Sequence, residues 1–294
     1  MSSVHAGDYK RARFGPLGKC IYCGSDGAGK GLKSEHIFPY FLGGNIELLE
    51  ASCAECEKIA SYLDGHCANK IFRSFRAQKG LQTRRPKNRP THFDIEYETA
   101  QGWVTRSLPV DAAPYMLPLP EFKMPSILES RTPSEGIEVA AFSLLTTSDT
   151  KERAEKFREP GDIGWRIPIP AFDPTVFARF VAKIALAGTV AMLKYDPAKS
   201  PLGGVVRGLE KRIGHYVGAE PPTTQGVTYT HTRPIIDGRD TNQMGFQTWA
   251  NSVTGHQLLG AEIRFLLAHG GGAIRYVAVV GPAMPAAHIQ APIR

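Results

Sequence analysis

The spacing of apolar and polar residues predicts helices and strands over much of the chain. Between residues 54 and 77, apolar side chains recur at steps of three and four, which is typical of an amphipathic helix. Residues 174–195 repeat this spacing with a broader apolar face and predict a long helix. Residues 92–98 alternate apolar and polar side chains, which predicts a half-buried strand, with residues 103–106 as its hairpin partner.

Shorter segments complete the predicted secondary structure. Residues 34–38 and 136–145 are predicted as strands, and residues 150–158 as a short charged helix. The proline-rich residues 114–125 predict an extended connection, and residues 225–294 predict mostly strands. Beyond residue 90 these elements indicate an α+β domain with an antiparallel sheet and one long helix.

The charge of the chain is concentrated near its beginning. Residues 1–90 hold 15 of the 35 Lys and Arg residues but only 8 of the 28 Asp and Glu residues, so they carry the whole net charge of +7. A basic excess in one segment favours contact with a polyanion. On the long helix, Arg179 and Lys183 lie one turn apart, and we interpret them as the solvated edge of a core helix.

Composition also bears on the compartment. No run of about 18 apolar residues is evident, so we expect no membrane-spanning helix and no membrane partner. The first residues lack the apolar core of a secretion signal, and five cysteines then predict a reducing compartment. The expected location is cytoplasmic.

Four of the cysteines form two Cys-x-x-Cys pairs. Cys20 and Cys23 make the first pair, and Cys53 and Cys56 make the second. Two such pairs supply four thiolates to one tetrahedral Zn²⁺ ion, so the spacing predicts a structural zinc site. The fifth cysteine, Cys67, is interpreted as a small buried apolar residue.

The 29 residues between the two pairs contain a second motif. Residues 34–39 are Ser-Glu-His-Ile-Phe-Pro, and residues 42–45 are Leu-Gly-Gly-Asn. The order of these elements resembles the zinc-containing HNH endonucleases of the ββα-metal group. The resemblance covers roughly residues 17–90 and implies an N-terminal zinc-bound ββα-metal (HNH) domain with nuclease activity.

The resemblance also implies roles for single residues. His36 is expected to be the general base, and Glu35 a ligand of a catalytic Mg²⁺ or Mn²⁺ ion. Glu57 follows the last cysteine, where the family usually has His or Asn, and is expected to complete the metal site. Asp64, two helical turns further on, is a weaker candidate ligand. Asn45 either orients His36 or serves only the turn, because the family asparagine usually lies nearer the second cysteine pair.

A run without acidic residues follows the motif. Residues 65–93 contain no Asp or Glu but eight Lys and Arg residues, which predicts contacts to a nucleic-acid backbone. The alternative is a solvated basic linker. The candidate contact residues are Lys70, Arg73, Arg76, Arg84 and Arg85.

The sequence thus predicts a flexible basic arm over residues 1–16, the HNH domain with its basic linker over 17–90, and the α+β domain over 91–294. The predicted function is a metal-dependent endonuclease acting on DNA, with RNA not excluded. One alternative is a zinc-dependent module that binds nucleic acid without cleaving it. Another is a scaffold that binds a protein partner through residues 91–294.

Overall fold

The structure is a computed structural model. It describes residues 12–81, 83, 86–114, 116–129, 131–146, 148–220, 232–236, 242–251, 254–266 and 274–284. The predicted contact residues Arg84 and Arg85, and the first eleven residues of the predicted arm, lie outside this part of the chain.

A small sheet of three strands opens the described chain. The strands are β1 (Ala12–Phe14), β2 (Lys33–His36) and β3 (Ile46–Ser52), with β3 in the centre, parallel to β1 and antiparallel to β2. One face of this sheet is buried, because alternate residues of β1 and β3 are apolar and point to the same side. Residues 12–14 therefore belong to the folded domain and do not continue the flexible arm predicted for residues 1–16.

The predicted helix over residues 54–77 is present but interrupted. It consists of α1 (Ala54–His66), a π-helical turn (Cys67–Ile71) and α2 (Arg73–Gln78). The backbone N–H of Phe72 donates to the carbonyl of Cys67, 2.9 Å away, which is the five-residue spacing of a π turn. The wider turn lets Ile71 and Phe72, adjacent in sequence, both face the core.

Two hairpins follow. The predicted hairpin is confirmed as β4 (His92–Thr99) and β5 (Gly102–Pro109), and β8 (Gly164–Arg166) pairs with the other edge of β4. The proline-rich segment is more than a connection. Its residues form β6 (Met116–Phe122), which pairs with β7 (Val139–Thr146), and the short helix α3 (Thr150–Lys156) comes next.

The remaining elements build a helix layer and a five-stranded antiparallel sheet. The helices are α4 (Pro174–Leu193), α5 (Leu202–Arg207) and α6 (Ile213–Tyr216). The strands are β9 (Val217–Glu220), β10 (Thr232–Ile236), β11 (Asn242–Ala250), β12 (Gln257–Phe265) and β13 (Arg275–Pro282), in the order β10-β11-β12-β13-β9. The predicted α+β class with an antiparallel sheet and one long helix is confirmed.

Helix α4 lies at the centre of the molecule. Asp173 caps its first turn by accepting a hydrogen bond from the backbone N–H of Thr175, and Lys194 ends it in the left-handed conformation. Residues 180–193 are all buried. By length and mean hydropathy (1.8) α4 is long and apolar enough to cross a membrane, but 94% of its apolar window is buried inside the protein, as in a core helix.

Residues 17–90, which resemble the HNH family, are called the HNH segment below. One apolar core joins this segment to the rest of the chain. The ring of Phe41 stacks on Phe180 of α4 at 6.0 Å between centroids, and Phe180 stacks on Phe265 of β12 at 5.9 Å. The same buried cluster continues from β3 through α1 and α4 to β13. The predicted boundary at residue 90 therefore does not separate two independent cores.

Candidate functional site

Four cysteines converge beside the small sheet. The Sγ atoms of Cys20, Cys23, Cys53 and Cys56 all lie within 4.8 Å of one another. Tetrahedral Zn²⁺ with Zn–S bonds of about 2.3 Å requires sulfur atoms about 3.8 Å apart, so this arrangement suits a structural zinc ion. Cys67 takes no part in the cluster and is fully buried in the core.

The local backbone places these thiols. The first pair lies on a turn in which the Gly24 N–H donates to the Cys20 carbonyl, and the second pair spans the start of α1. Burial alone would raise the pKa of Cys53, but hydrogen bonds from the Cys56 backbone and from the neighbouring thiols lower it to about 7. Burial raises the pKa of Cys20.

His36 ends β2 on the more open face of the small sheet. Its Nε2 atom lies 3.3 Å from Oε1 of Glu47 on β3, and Oε2 of Glu47 lies 3.4 Å from Nε of Arg13 on β1. The strand register pairs Arg13 with Glu47 and Glu47 with His36, so the three side chains form one row across the sheet. The His36 side chain remains 23% exposed.

Glu47 was not among the predicted site residues. Its importance follows from the register between β2 and β3, which brings residues 36 and 47 directly opposite each other. The antiparallel pairing of the two strands was predictable, but the register was not, because a bulge lies between Lys33 and Glu35.

Glu35 points to the opposite, buried face of the sheet. Its Oε1 atom lies 2.9 Å from Nζ of Lys183, and the same ammonium lies 2.9 Å from both carboxylate oxygens of Asp64. Burial raises the pKa of Glu35, although the nearby charge of Lys183 partly offsets this. Burial and then the charge of Glu35 raise the pKa of Tyr22, which is also buried here, well above its usual range.

Lys183 is the unexpected member of this group. The interpretation of Lys183 as part of a solvated helix edge is wrong, because its side chain is completely buried. Burial alone would lower the pKa of Lys183, but the charges of Asp64 and Glu35 outweigh that effect and hold its pKa above the usual value. Arg179, one turn earlier, donates from Nη2 to the carbonyl of Val206 at 2.7 Å and so supports the end of α5.

The other predicted site residues, Glu57 and Asn45, have contacts of their own. Glu57 is partly exposed in the first turn of α1, and its Oε2 atom lies 3.1 Å from Nζ of Lys33. Asn45 is half-buried just before β3, and its backbone carbonyl accepts a hydrogen bond from the N–H of Ala12. The structure thus brings Glu35 and Asp64 together around Lys183, pairs His36 with Glu47, and pairs Glu57 with Lys33.

The positions of these side chains determine which metal ions they could bind. In the part of the chain that the structure describes, the four cysteines are the only cluster of three or more Cys, His, Asp and Glu side chains arranged to hold an ion. Glu35 and Asp64 would suit a hard cation by their chemistry. However, the Lys183 ammonium lies between them, so this arrangement does not fit the Mg²⁺ or Mn²⁺ ion that the HNH resemblance implies.

The basic segment has exposed and internal members. Lys70 and Arg73 are exposed and border a cavity of about 260 Å³ that Phe93 also lines. The Arg76 guanidinium instead lies 5.1 Å from the ring centre of Phe41 and donates to the Ala68 carbonyl at 3.0 Å. Burial lowers the pKa of Arg76. Arg76 follows Lys70 and Arg73 at steps of three residues, but it does not lie on the same exposed surface.

Comparison with known proteins agrees with this geometry. Residues 20–71 match the sequence profile of a family described as HNH endonuclease. Searches of curated proteins and of solved structures find no match. The matched residues include all four clustered cysteines, the Glu35–His36 pair and the start of the basic segment. This part of the chain is therefore similar to HNH endonuclease domains, and its four clustered cysteines are consistent with a zinc-containing HNH domain.

Proposed function

We propose that the protein is an endonuclease that hydrolyses phosphodiester bonds in DNA, with His36 as the general base. The observation that carries the proposal is the His36–Glu47 pair, because it places an oriented, partly exposed histidine inside an HNH domain. Histidine suits this role since its ordinary pKa lies near neutral pH.

His36 and Glu47 would have different roles in the reaction. Glu47 orients the His36 ring through Nε2, and the ring takes a proton from the attacking water. Glu47 then stabilises the positive charge that develops on the ring, as a carboxylate does beside a catalytic histidine. Arg13 keeps the Glu47 carboxylate in position from the other side.

A catalytic Mg²⁺ or Mn²⁺ ion is part of the expectation from the family. The resemblance implies Glu35, Glu57 and Asp64 as its ligands and Asn45 as the orienting residue. Glu35 and Asp64 are engaged by Lys183, and Glu57 by Lys33, so the mechanism above uses only the protein's own residues. The cysteine cluster would hold zinc and keep the loop that bears His36 in place.

DNA contact is proposed for the exposed part of the basic segment. Lys70 and Arg73 lie on the solvent side of the helical region that follows the last cysteine. No acidic residue occurs between residues 65 and 93, so this stretch of the chain would offer only positive charges to a phosphate backbone, with Asp94 as the acidic side chain in the lining of the same cavity. Arg84 and Arg85 extend the same charge along the chain.

One observation favours a second candidate function. The carboxylates that an HNH nuclease would present to a catalytic ion are engaged by lysines. A domain without such an ion would bind nucleic acid and leave it intact. This second candidate predicts zinc binding and salt-sensitive DNA affinity without cleavage.

Nicking of supercoiled plasmid by zinc-loaded protein distinguishes the two. We expect nicking in Mg²⁺ or Mn²⁺ buffer, and a loss of about 100-fold or more in His36→Ala, because a general base typically contributes that much. His256→Ala is the matched control, since His256 is exposed in the turn before β12. Absence of nicking by the wild type, with DNA binding retained, would favour the binding module.

A further inference from the structure

The Lys183 ammonium makes a complete set of contacts inside the HNH domain. Its three N–H groups face three carboxylate oxygens, one from Glu35 and two from Asp64, each at 2.9 Å. An ammonium group has three donors and no acceptor, so this set uses its full hydrogen-bonding capacity. The lysine side chain has no exposed surface.

The two carboxylates and the lysine come from different parts of the chain. Glu35 on β2 and Asp64 on α1 both belong to the segment that matches the HNH profile, whereas Lys183 on α4 lies far outside it. Within the HNH segment alone, two carboxylates would face each other in the interior with no positive charge between them. Such a pair requires a cation, because buried like charges without a counter-charge are strongly unfavourable.

We propose that Glu35 and Asp64 form a cation site that Lys183 closes, with the lysine ammonium taking the place of a divalent ion. In the native chain Glu35 is then a structural residue that ties β2 to α4, and it binds no metal. A divalent ion enters only when the ammonium is absent.

The geometry allows this exchange. Carboxylate oxygens lie about 2.1 Å from Mg²⁺ and about 2.3–2.6 Å from Ca²⁺, so small inward movements from 2.9 Å would complete the bonds. Shortening residue 183 to alanine would free the volume of a four-carbon stem for the ion and its water ligands. The Asp64 side chain is 27% exposed, which provides a route from solvent. The other titratable side chains at the cluster, Tyr22 and Cys67, have pKa values raised chiefly by burial, so they stay neutral and add no charge to the site.

Binding of Mn²⁺ to the zinc-loaded full chain tests the proposal. Four proteins are compared: wild type, Glu35→Gln, Lys183→Ala and Lys183→Ala/Glu35→Gln. Free Mn²⁺ is followed by electron paramagnetic resonance. We expect Lys183→Ala to bind one Mn²⁺ ion per chain, with affinity at least tenfold above that of the other three. Wild-type binding that Glu35→Gln weakens would overturn the proposal, and so would a Lys183→Ala protein that gains no binding.

Refolding keeps the test decisive if Lys183→Ala is unstable. Denatured Lys183→Ala is refolded in zinc with and without Mn²⁺. We expect Mn²⁺ to raise the yield or the Tm of Lys183→Ala but of neither the wild type nor the double variant. Equal yields and Tm values in both buffers, or failure to refold in either, would show that an ion cannot replace the ammonium. Neither measurement requires DNA cleavage, so both test the cation site independently of the proposed nuclease function.

Discussion

At the scale of single residues, Glu35 and His36 show how neighbours in a strand receive different roles. Successive side chains of a strand point to opposite faces, so His36 meets Glu47 near solvent while Glu35 enters the core. The resemblance to the HNH family implies that Glu35 and His36 act together in one catalytic site. Here each has its own partner, and the roles of the two residues are separable by mutation.

Replacing Glu47 tests the role proposed for the His36–Glu47 row. Glu47→Gln keeps the size of the side chain but removes the charge that stabilises protonated His36. We expect plasmid nicking to fall by about 10- to 100-fold while the Tm changes little, because a carboxylate behind a general base acts by orientation and charge. Rates are measured at saturating DNA.

Glu50→Gln provides the matched control for this experiment. Glu50 lies on the same strand but is exposed. Its substitution should leave the nicking rate unchanged. Equal losses in the two variants, or no loss in Glu47→Gln, would remove Glu47 from the site.

At the scale of elements, the sequence predicted those parts that depend on local pattern. The broad apolar face of α4 and the alternation in β4 are local features, and both elements were predicted correctly. The π turn after α1 was not, because it arises from packing both Ile71 and Phe72 into the core. The burial of Lys183 was also missed, because its carboxylate partners lie more than a hundred residues away.

The β4–β5–β8 sheet contains an ion pair with a defined pH dependence. Arg106 of β5 contacts both carboxylate oxygens of Asp162, in the turn before β8, at 2.6 and 3.0 Å. The hydrogen bonds from Arg106 lower the pKa of Asp162 below its ordinary value. Because the folded-state pKa is the lower one, the pair stabilises the fold above the unfolded pKa of about 3.9 and loses that effect as pH falls through the folded pKa.

Asp162→Asn should therefore reduce stability at neutral pH and flatten its decline in acid. Urea unfolding at intervals from pH 7 to pH 2.5 measures this, with Glu159→Gln as control. Glu159 also contacts Arg106 but is largely exposed, so its loss should change the profile little. A wild type and an Asp162→Asn variant with parallel profiles would show that the pair does not contribute to acid sensitivity.

At the scale of the whole molecule, the HNH segment is a part of a larger core. Phe41 and Phe72 lie within residues 17–90, yet their ring partners Phe177, Phe180 and Phe265 lie on α4 and β12. Lys183 adds a buried ionic link at the same junction. A zinc ion at the four cysteines would fix the segment that bears His36, whereas α4 supplies the apolar surface against which α1 and the small sheet pack.

A fragment of residues 1–90 separates the contribution of zinc from that of the core. It retains all four clustered cysteines, so we expect it to bind one Zn²⁺ ion per chain, as the full chain does. It loses the rings of Phe177, Phe180 and Phe265 that pack on Phe41 and Phe72. It also loses Lys183, the counter-charge of Glu35 and Asp64. We therefore expect the zinc-bound fragment to give a weak near-ultraviolet circular dichroism signal, to bind the dye ANS strongly and to show no cooperative thermal transition. The zinc-loaded full chain should show the opposite behaviour in all three measurements. A fragment that melts cooperatively and binds no dye would establish that the HNH segment folds without α4, and that its contacts with α4 join two stable units.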